Sequence, residues 1–132
     1  MFIWPISVYY EDTDAGGVVY HANYLKFFER ARSEWLTCVG ISQTQLLKDD
    51  LAFVVKRASL DFICPARFEQ KLAVHSQITE MTRTSIKFTQ RLLDDNSVCY
   101  CEAEVLVVCV QLSKMRPKGI PSFIKQELLS AR

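Results

Sequence analysis

A change of hydrophobic period after residue 40 is the feature that most constrains the fold of this chain. Before it, apolar side chains recur at i, i+3, i+4, i+7 and i+11, namely Tyr24, Phe27, Phe28, Ala31 and Trp35. That spacing predicts one helix with a single buried stripe. From residue 51 to residue 112 apolar and polar residues alternate instead, as they do in strands. The chain is therefore predicted to be an α+β protein whose one long helix packs against a sheet.

Single residues signal the limits of the helices. Asn23 has the side chain of a good N-cap for the long helix, and Gly40 suits the position just past its end. A short helix is predicted over residues 42–48, with Ser42 as its cap. Another short helix is expected to follow Pro121.

Five strands are predicted, one before the long helix and four after it. The first has Pro5 near its start, which suits an edge strand. Asp94, Asp95 and Asn96 form a hairpin turn signal between the last two strands. Consecutive strands with short connections form an antiparallel sheet. The predicted strands cover residues 2–10, 51–64, 72–79, 86–92 and 98–112.

Composition excludes several classes of function. The 132 residues suffice for a single domain, residues 1–132, with its own core. A formal net charge of +1 creates no field that would attract nucleic acid or a membrane surface. No apolar run reaches membrane-spanning length, and the first ten residues lack the features of a signal peptide, so a cytoplasmic protein is expected.

Five cysteines are spaced irregularly. That spacing favours reduced, small core residues in a cytosolic protein over disulfides. A zinc site would need both histidines brought in from distant positions, so no metal is expected. The cysteines are Cys38, Cys64, Cys99, Cys101 and Cys109.

The last strand predicts a partner. Its second face is also apolar, with Leu106, Val108 and Val110. One helix cannot cover both faces of a five-stranded sheet, and an exposed apolar face needs cover. A second copy of the chain is the simplest cover, so a homodimer or a larger homo-oligomer is predicted.

The loop over residues 11–22 carries the candidate chemistry. Asp14 stands just before Gly16 and Gly17, which permit a tight turn and the close approach of a ligand. The first turn of the long helix holds no Asp or Glu, so N–H groups near His21 are free to meet another oxygen. A carboxylate facing such N–H groups is typical of an oxyanion-stabilising site with an acid or base. The alternative is that Asp14 only closes an Asx turn.

Two longer stretches resemble a known family. YYEDTDAGGVVYHANYLKFFERAR, residues 9–32, resembles the N-terminal signature of the 4-hydroxybenzoyl-CoA thioesterase family, and most closely its YbgC branch, the acyl-CoA thioesterases associated with the Tol–Pal system. LDFICPARFEQKLAV, residues 60–74, resembles the family's strand-Pro-Ala-strand segment. The resemblance implies a hotdog fold, a five-stranded antiparallel sheet wrapped around one long central helix. It also implies dimers joined edge to edge, commonly paired into tetramers, with active sites at the dimer interface.

The resemblance implies hydrolysis of an acyl-CoA thioester without a cofactor, because coenzyme A is part of the substrate. Asp14 would be the nucleophile or the general base, and the backbone N–H of His21 or its neighbour the oxyanion donor. The His21 side chain would orient the thioester or support Asp14, and Tyr9 would lie near the acyl pocket. Further positions of the motif expected to bind substrate are Gly16, Gly17, Val19, Tyr20 and Asn23.

The phosphates of coenzyme A need cations and N–H donors. Arg83 and Ser85, at a turn between two strands, match positions at which relatives hold phosphate. Arg116 and Lys118, in the basic loop over residues 113–120, are further candidates. The alternative is that these residues form only a solvated basic rim.

The preferred function is hydrolysis of short-chain or aromatic acyl-CoA. The alternative is a hotdog protein that binds acyl-CoA or an acyl carrier protein without turnover, and Asp14 argues against it because a binder needs no carboxylate beside the carbonyl. A dehydratase on the same fold would place its histidine in a different sequence context. The acyl group, the thioester carrier and the choice between dimer and tetramer stay open at this point.

Overall fold

The computed structural model describes residues 1–131, which form one antiparallel sheet and three helices. The strand order is β1-β3-β4-β5-β2, and β6 pairs with the end of β5. The five predicted strands are thus confirmed, and β6 is an addition within the basic loop. In chain order the elements are β1 (Phe2–Ser7), a 3₁₀ turn (Tyr10–Asp12), α1 (Asn23–Cys38), α2 (Gln43–Lys48), β2 (Leu51–Phe62), β3 (Lys71–Met81), β4 (Ser85–Leu93), β5 (Cys99–Gln111), β6 (Arg116–Pro117) and α3 (Ser122–Ser130).

The apolar stripe of α1 packs into the core between the helix and the sheet. The Trp35 ring stacks on Phe2 of β1 at 5.7 Å and meets the edge of Phe88 of β4 at 5.9 Å. Burying an aromatic side chain of this size contributes about 2–3 kcal/mol. The long central helix predicted from the period is confirmed. All five stripe residues are less than 5% exposed: Tyr24, Phe27, Phe28, Ala31 and Trp35.

The predicted end of α1 and the predicted cap of α2 are confirmed. Gly40 has a φ of +84°, which favours glycine, and the Ile41 N–H donates to the Leu36 carbonyl at 2.9 Å across it. At α2, the Ser42 hydroxyl accepts from the Gln45 N–H at 3.2 Å.

The predicted N-cap of α1 is wrong. Asn23 is the first residue of the helix, and its side chain donates to the buried carboxylate of Asp12 at 2.8 Å instead of capping. The same carboxylate accepts from the Tyr9 N–H at 2.9 Å. That bond turns the chain, and β1 therefore ends at Ser7 and not at residue 10.

The two edge strands of the sheet differ in length. β1 is short and carries Pro5, which has no N–H to pair, as predicted for an edge strand. β2 has 12 residues and pairs only with β5, and Val55 near its middle is 52% exposed. A long edge strand presents unpaired N–H and C=O groups to which another strand can add.

The outer face of β5 is less exposed than expected. Leu106 is partly exposed, but Val108 is 8% exposed and Val110 is 5% exposed. Both valines line a shallow groove with Met115 and Pro117, which come from the segment after β5. Because the chain itself covers much of this apolar face, the stronger argument for a partner is the free edge of β2.

All five cysteines are free. Cys101 and Cys109 are buried in the core as predicted, but Cys38 is exposed. The prediction that every cysteine is a core residue is wrong for Cys38, which lies off the buried stripe of α1. It holds only in part for Cys64 and Cys99, which are partly buried. Within residues 1–131 no helix combines the length and the apolar character needed to cross a membrane.

Candidate active site

The segment before α1 folds as a small hairpin. Thr13 and Val19 form a β-bridge, and the Asp14 N–H donates to the Val18 carbonyl at 2.9 Å. The Gly17 N–H closes the turn by donating to the Asp14 carbonyl at 3.1 Å. Gly17 has a φ of +78°, so a residue with a Cβ would be strained there.

The hairpin is anchored on the connection between β2 and β3. The Val19 N–H donates to the Ala66 carbonyl at 2.8 Å, and Val18 forms a β-bridge with Arg67. The Tyr20 N–H donates to the Asp12 carbonyl at 2.9 Å. These bonds hold both ends of the hairpin, so its position relative to α1 is well defined.

The Asp14 side chain lies exposed at the tip of the hairpin. One oxygen, Oδ1, accepts from the Gly16 N–H at 2.8 Å, so the Asx turn is present. A Cβ on Gly16 would lie 3.2 Å from that oxygen, so a larger residue there would crowd the carboxylate. The other oxygen, Oδ2, accepts no hydrogen bond from residues 1–131. The carboxylate is therefore held by one oxygen and free at the other.

Asp12, in contrast, is 3% exposed and has a structural role. Its two oxygens bind Tyr9 and Asn23, so it joins the 3₁₀ turn to the first residue of α1. The Asn23 side chain is therefore used inside the protein, which leaves its predicted contact with substrate without support. Tyr9 itself is 65% exposed.

A cavity of about 250 Å³ opens at the start of α1. Beside it, the His21 ring lies 4.6 Å from the Tyr20 ring and 6.2 Å from the Phe62 ring. α1 has no side-chain cap and no acid in its first turn, and the N–H groups of His21 and Ala22 donate to no acceptor in residues 1–131. The free N–H donors expected near His21 are therefore present. The cavity is lined by Val19, His21, Tyr24, Phe62, Ile63, Cys64 and Pro65.

Tyr24 is a site residue that the sequence analysis missed. Its hydroxyl accepts from the Ala66 N–H at 3.1 Å. Burial raises the pKa of Tyr24, against the opposing effect of that hydrogen bond, so the phenol stays neutral. An aromatic residue on the apolar stripe of a helix is ordinarily a core residue, so the stripe alone did not indicate a site at Tyr24. The available signal was Pro65, because it ends a strand and that strand end lies beside the start of α1.

The four predicted phosphate-binding residues lie together at a basic corner, formed by Arg83, Ser85, Arg116 and Lys118. The Ile120 N–H donates to the Arg83 carbonyl at 2.9 Å, which holds the segment after β6 against the β3–β4 turn. The Arg83 guanidinium packs beside Gly119, 3.7 Å from where a Cβ would stand. The predicted grouping is therefore consistent with the positions of these residues.

Within one chain the basic corner is far from the cavity at the helix start. Phe62 pairs with Cys101 of β5, and Ser85 pairs with Val108. Those partners are seven residues apart along β5, or about 23 Å at roughly 3.3 Å per residue. Asp14 does not line the cavity either, so the expectation that it faces the start of its own helix is not met. The local hairpin and its Asx turn direct the side chain to the surface instead.

Comparison with known proteins identifies the family. A profile of the thioesterase-like superfamily matches residues 8–128. The acyl-CoA thioester hydrolase YbgC of Escherichia coli O6:H1 is 48% identical over 127 residues, which cover 96% of this chain and 95% of that protein. The acyl-CoA thioesterase YbgC of Haemophilus influenzae is 46% identical over 125 residues, covering 94% and 91% respectively. The chain belongs to the YbgC group of the thioesterase-like superfamily.

The fold comparison agrees with this membership. The crystal structure of a 1,4-dihydroxy-2-naphthoyl-CoA thioesterase from Synechocystis superposes with a TM-score of 0.91 at 25% identity, covering 97% of this chain and 95% of that one. The predicted family, the hotdog fold and the enzyme class, an acyl-CoA thioesterase, are therefore confirmed. The roles of single site residues stay predictions.

Proposed function

We propose that this thioesterase hydrolyses short-chain or aromatic acyl-CoA to the free acid and coenzyme A. The observation that supports this most is the start of α1, where the N–H groups of His21 and Ala22 have no acceptor within residues 1–131 and His21 lines a cavity. Such donors stabilise the negative charge that develops on a thioester oxygen, and losing one raises the barrier by about 2.7–4 kcal/mol.

Asp14 supplies the second half of the chemistry. As a general base it takes a proton from water, and the resulting hydroxide attacks the carbonyl carbon and expels the coenzyme A thiolate. As a nucleophile it attacks that carbon itself, and water then hydrolyses the mixed anhydride. Both routes need one free carboxylate oxygen, and Oδ2 of Asp14 meets that need.

We further propose that the active site lies where two copies pair, with Asp14 and the helix start supplied by one copy and the basic corner by the other. The free β2 edge suits pairing between two copies, and a two-fold axis makes such pairing antiparallel. The Leu51 end of one β2 then lies beside the Phe62 end of the other. This arrangement brings the basic corner of one copy toward the cavity of its partner, so that phosphates and thioester bind across the interface.

Release of free thiol from a panel of acyl-CoA compounds tests the proposal. We expect turnover by the wild type and a fall of at least about a hundredfold for Asp14→Asn. Asp95→Asn, an exposed turn residue, is the matched control and should keep full activity. Equal rates for wild type and Asp14→Asn would remove Asp14 from the mechanism, and binding without turnover would favour the non-catalytic alternative.

Assembly is tested separately by light scattering. The expected mass is at least twice that of the monomer, and a clean monomer would contradict pairing through β2. Tetramers and association with the Tol–Pal system stay predictions of the resemblance. A cytoplasmic location stays a prediction from composition, and acyl carrier protein stays an alternative thioester carrier.

A further inference from the structure

A second cavity lies between the middle of α1 and the inner face of the sheet. It encloses about 90 Å³. Half-exposed Val55 is part of its wall, so the cavity opens at the free edge of β2. Its apolar lining consists of Leu36, Phe53, Val55, Ile86, Phe88 and Val107. This is a small apolar space next to the edge that we assign to the dimer.

The cavity, named here the Arg32 pocket, also has a polar lining with one cation, Arg32 of α1, and one anion, Glu29. Ser33 and Gln43 complete that lining. Nη1 of Arg32 donates to Oε1 of the fully buried Gln90 at 2.9 Å. Gln90 is fixed in turn, because its Nε2 donates to the Phe28 carbonyl at 3.0 Å and to the Ser76 hydroxyl at 2.9 Å. The guanidinium is therefore held in place by one hydrogen bond and keeps several N–H donors unused.

No carboxylate of residues 1–131 contacts the Arg32 guanidinium within 4 Å. Glu29, one turn earlier, accepts instead from the Ser33 hydroxyl at 2.8 Å, and Gln43 donates to that hydroxyl at 3.2 Å. Burial lowers the pKa of Arg32 against the opposing charge of Glu29, yet a guanidinium stays charged near neutral pH. A largely desolvated cation without a contacting anion is unfavourable, so the pocket favours an anionic ligand group.

We propose that the Arg32 pocket binds the far end of an acyl group that carries a terminal carboxylate, as in the half-thioester of a short dicarboxylic acid. The carboxylate would accept the unused N–H donors of Arg32, and the apolar wall would contact the acyl stem. A neutral acyl group of equal length would leave those donors unpaired. This inference deepens the proposed function and rests on it, including the pairing of two copies.

The pairing decides which helix start serves the pocket. Within one chain Arg32 follows His21 by eleven residues, or about 16 Å of helix, which is too long for a short acyl group. Antiparallel pairing of two β2 strands places Phe53 of one copy near the Phe62 end of the other. The thioester carbonyl at one helix start then has the other copy's Arg32 pocket beside it.

Succinyl-CoA and butyryl-CoA provide the test, because their acyl chains are equally long and differ in the terminal carboxylate. We expect wild-type kcat/KM to be at least about tenfold higher for succinyl-CoA. Arg32→Met should lower kcat/KM for succinyl-CoA by about tenfold or more and for butyryl-CoA by less than about threefold. The matched control is Arg30→Met, an exposed position on the same helix that should leave both unchanged.

Equal kcat/KM for the two substrates in the wild type, or a preference for butyryl-CoA, would overturn the proposal. An equal fall in kcat/KM for both substrates in Arg32→Met would also overturn it, because that result indicates only that Arg32 supports the structure through Gln90. Calorimetric binding in the Asp14→Asn background separates the two proposals. Tighter, Arg32-dependent binding of succinyl-CoA without turnover in the wild type would refute hydrolysis and keep the pocket. Turnover of both substrates without a preference for succinyl-CoA would support hydrolysis and refute the proposed role of the Arg32 pocket.

A measurement on the wild type alone covers the case in which Arg32→Met does not fold. Free succinate should compete with butyryl-CoA, whereas butyrate at the same concentration should compete at least about tenfold more weakly. Equal competition by the two acids would overturn the proposal.

Discussion

Replacing Asp12 with alanine tests whether one buried carboxylate holds the hairpin to the start of α1. Asp12 is 3% exposed and accepts from the Tyr9 N–H at 2.9 Å and from Nδ2 of Asn23 at 2.8 Å. Asp12→Ala leaves two donors unpaired, at about 1–3 kcal/mol each, and we expect it to lower the free energy of unfolding by about 3 kcal/mol. That is a large share of the roughly 5–15 kcal/mol typical of a folded protein.

Urea unfolding followed by tryptophan fluorescence measures this loss, since Trp35 is 2% exposed in the core. All variants are compared at one protein concentration because assembly adds to apparent stability. The control is Glu11→Ala, a change at the exposed residue next to Asp12. Its free energy of unfolding should stay within about 0.5 kcal/mol of the wild-type value.

A double-mutant cycle with Asn23→Ala tests the pair directly. The double variant should lose about 1–2 kcal/mol less than the sum of the two single losses, because both partners of one bond are then gone. The reasoning is refuted if Asp12→Ala unfolds within about 0.5 kcal/mol of the wild type.

Two further predictions concern α1 and the cysteines. Gly40→Ala should lower the free energy of unfolding by about 1 kcal/mol in the same urea assay, because the φ of +84° strains any residue with a Cβ. In the folded protein a maleimide should label exposed Cys38 quickly and Cys101 only after unfolding, since burial raises the pKa of Cys101 to about 12. Mass spectrometry of timed samples identifies the site, and early label on Cys101 would contradict its burial.

The parts of the fold that the sequence predicted are those specified locally. Hydrophobic period located α1 and the strands after it because each side chain's direction follows from its neighbours along the chain. Gly40 and Ser42 act within one turn of helix. The start of α1 was not predictable in this way, because it depends on a hydrogen bond between Asp12 and Asn23 that spans eleven residues. The end of β1 was missed because no hydrophobic pattern indicates the bond from the Tyr9 N–H to the Asp12 side chain.

The candidate site was also predicted only where a local sequence motif indicates it. Val19 and His21 were assigned from a motif, and both line the cavity at the helix start. Tyr24 and Phe62 were missed because the role of an aromatic side chain depends on packing between distant elements. The direction of Asp14 is set by the hairpin turn, and no local pattern predicts whether the same chain or a partner completes the site.

Mixing two defective variants decides that question. If the site combines Asp14 of one copy with the basic corner of the other, Asp14→Asn and Arg83→Met, each expected to be impaired, should restore activity when co-expressed. Random pairing makes about half of the dimers mixed, and each mixed dimer has one intact site of two, so about a quarter of wild-type activity is expected. Differently tagged chains purified as mixed dimers should reach about half. Activity no higher than the average of the two parent variants would place Asp14 and Arg83 in the same chain's site and would remove the need for a partner in catalysis.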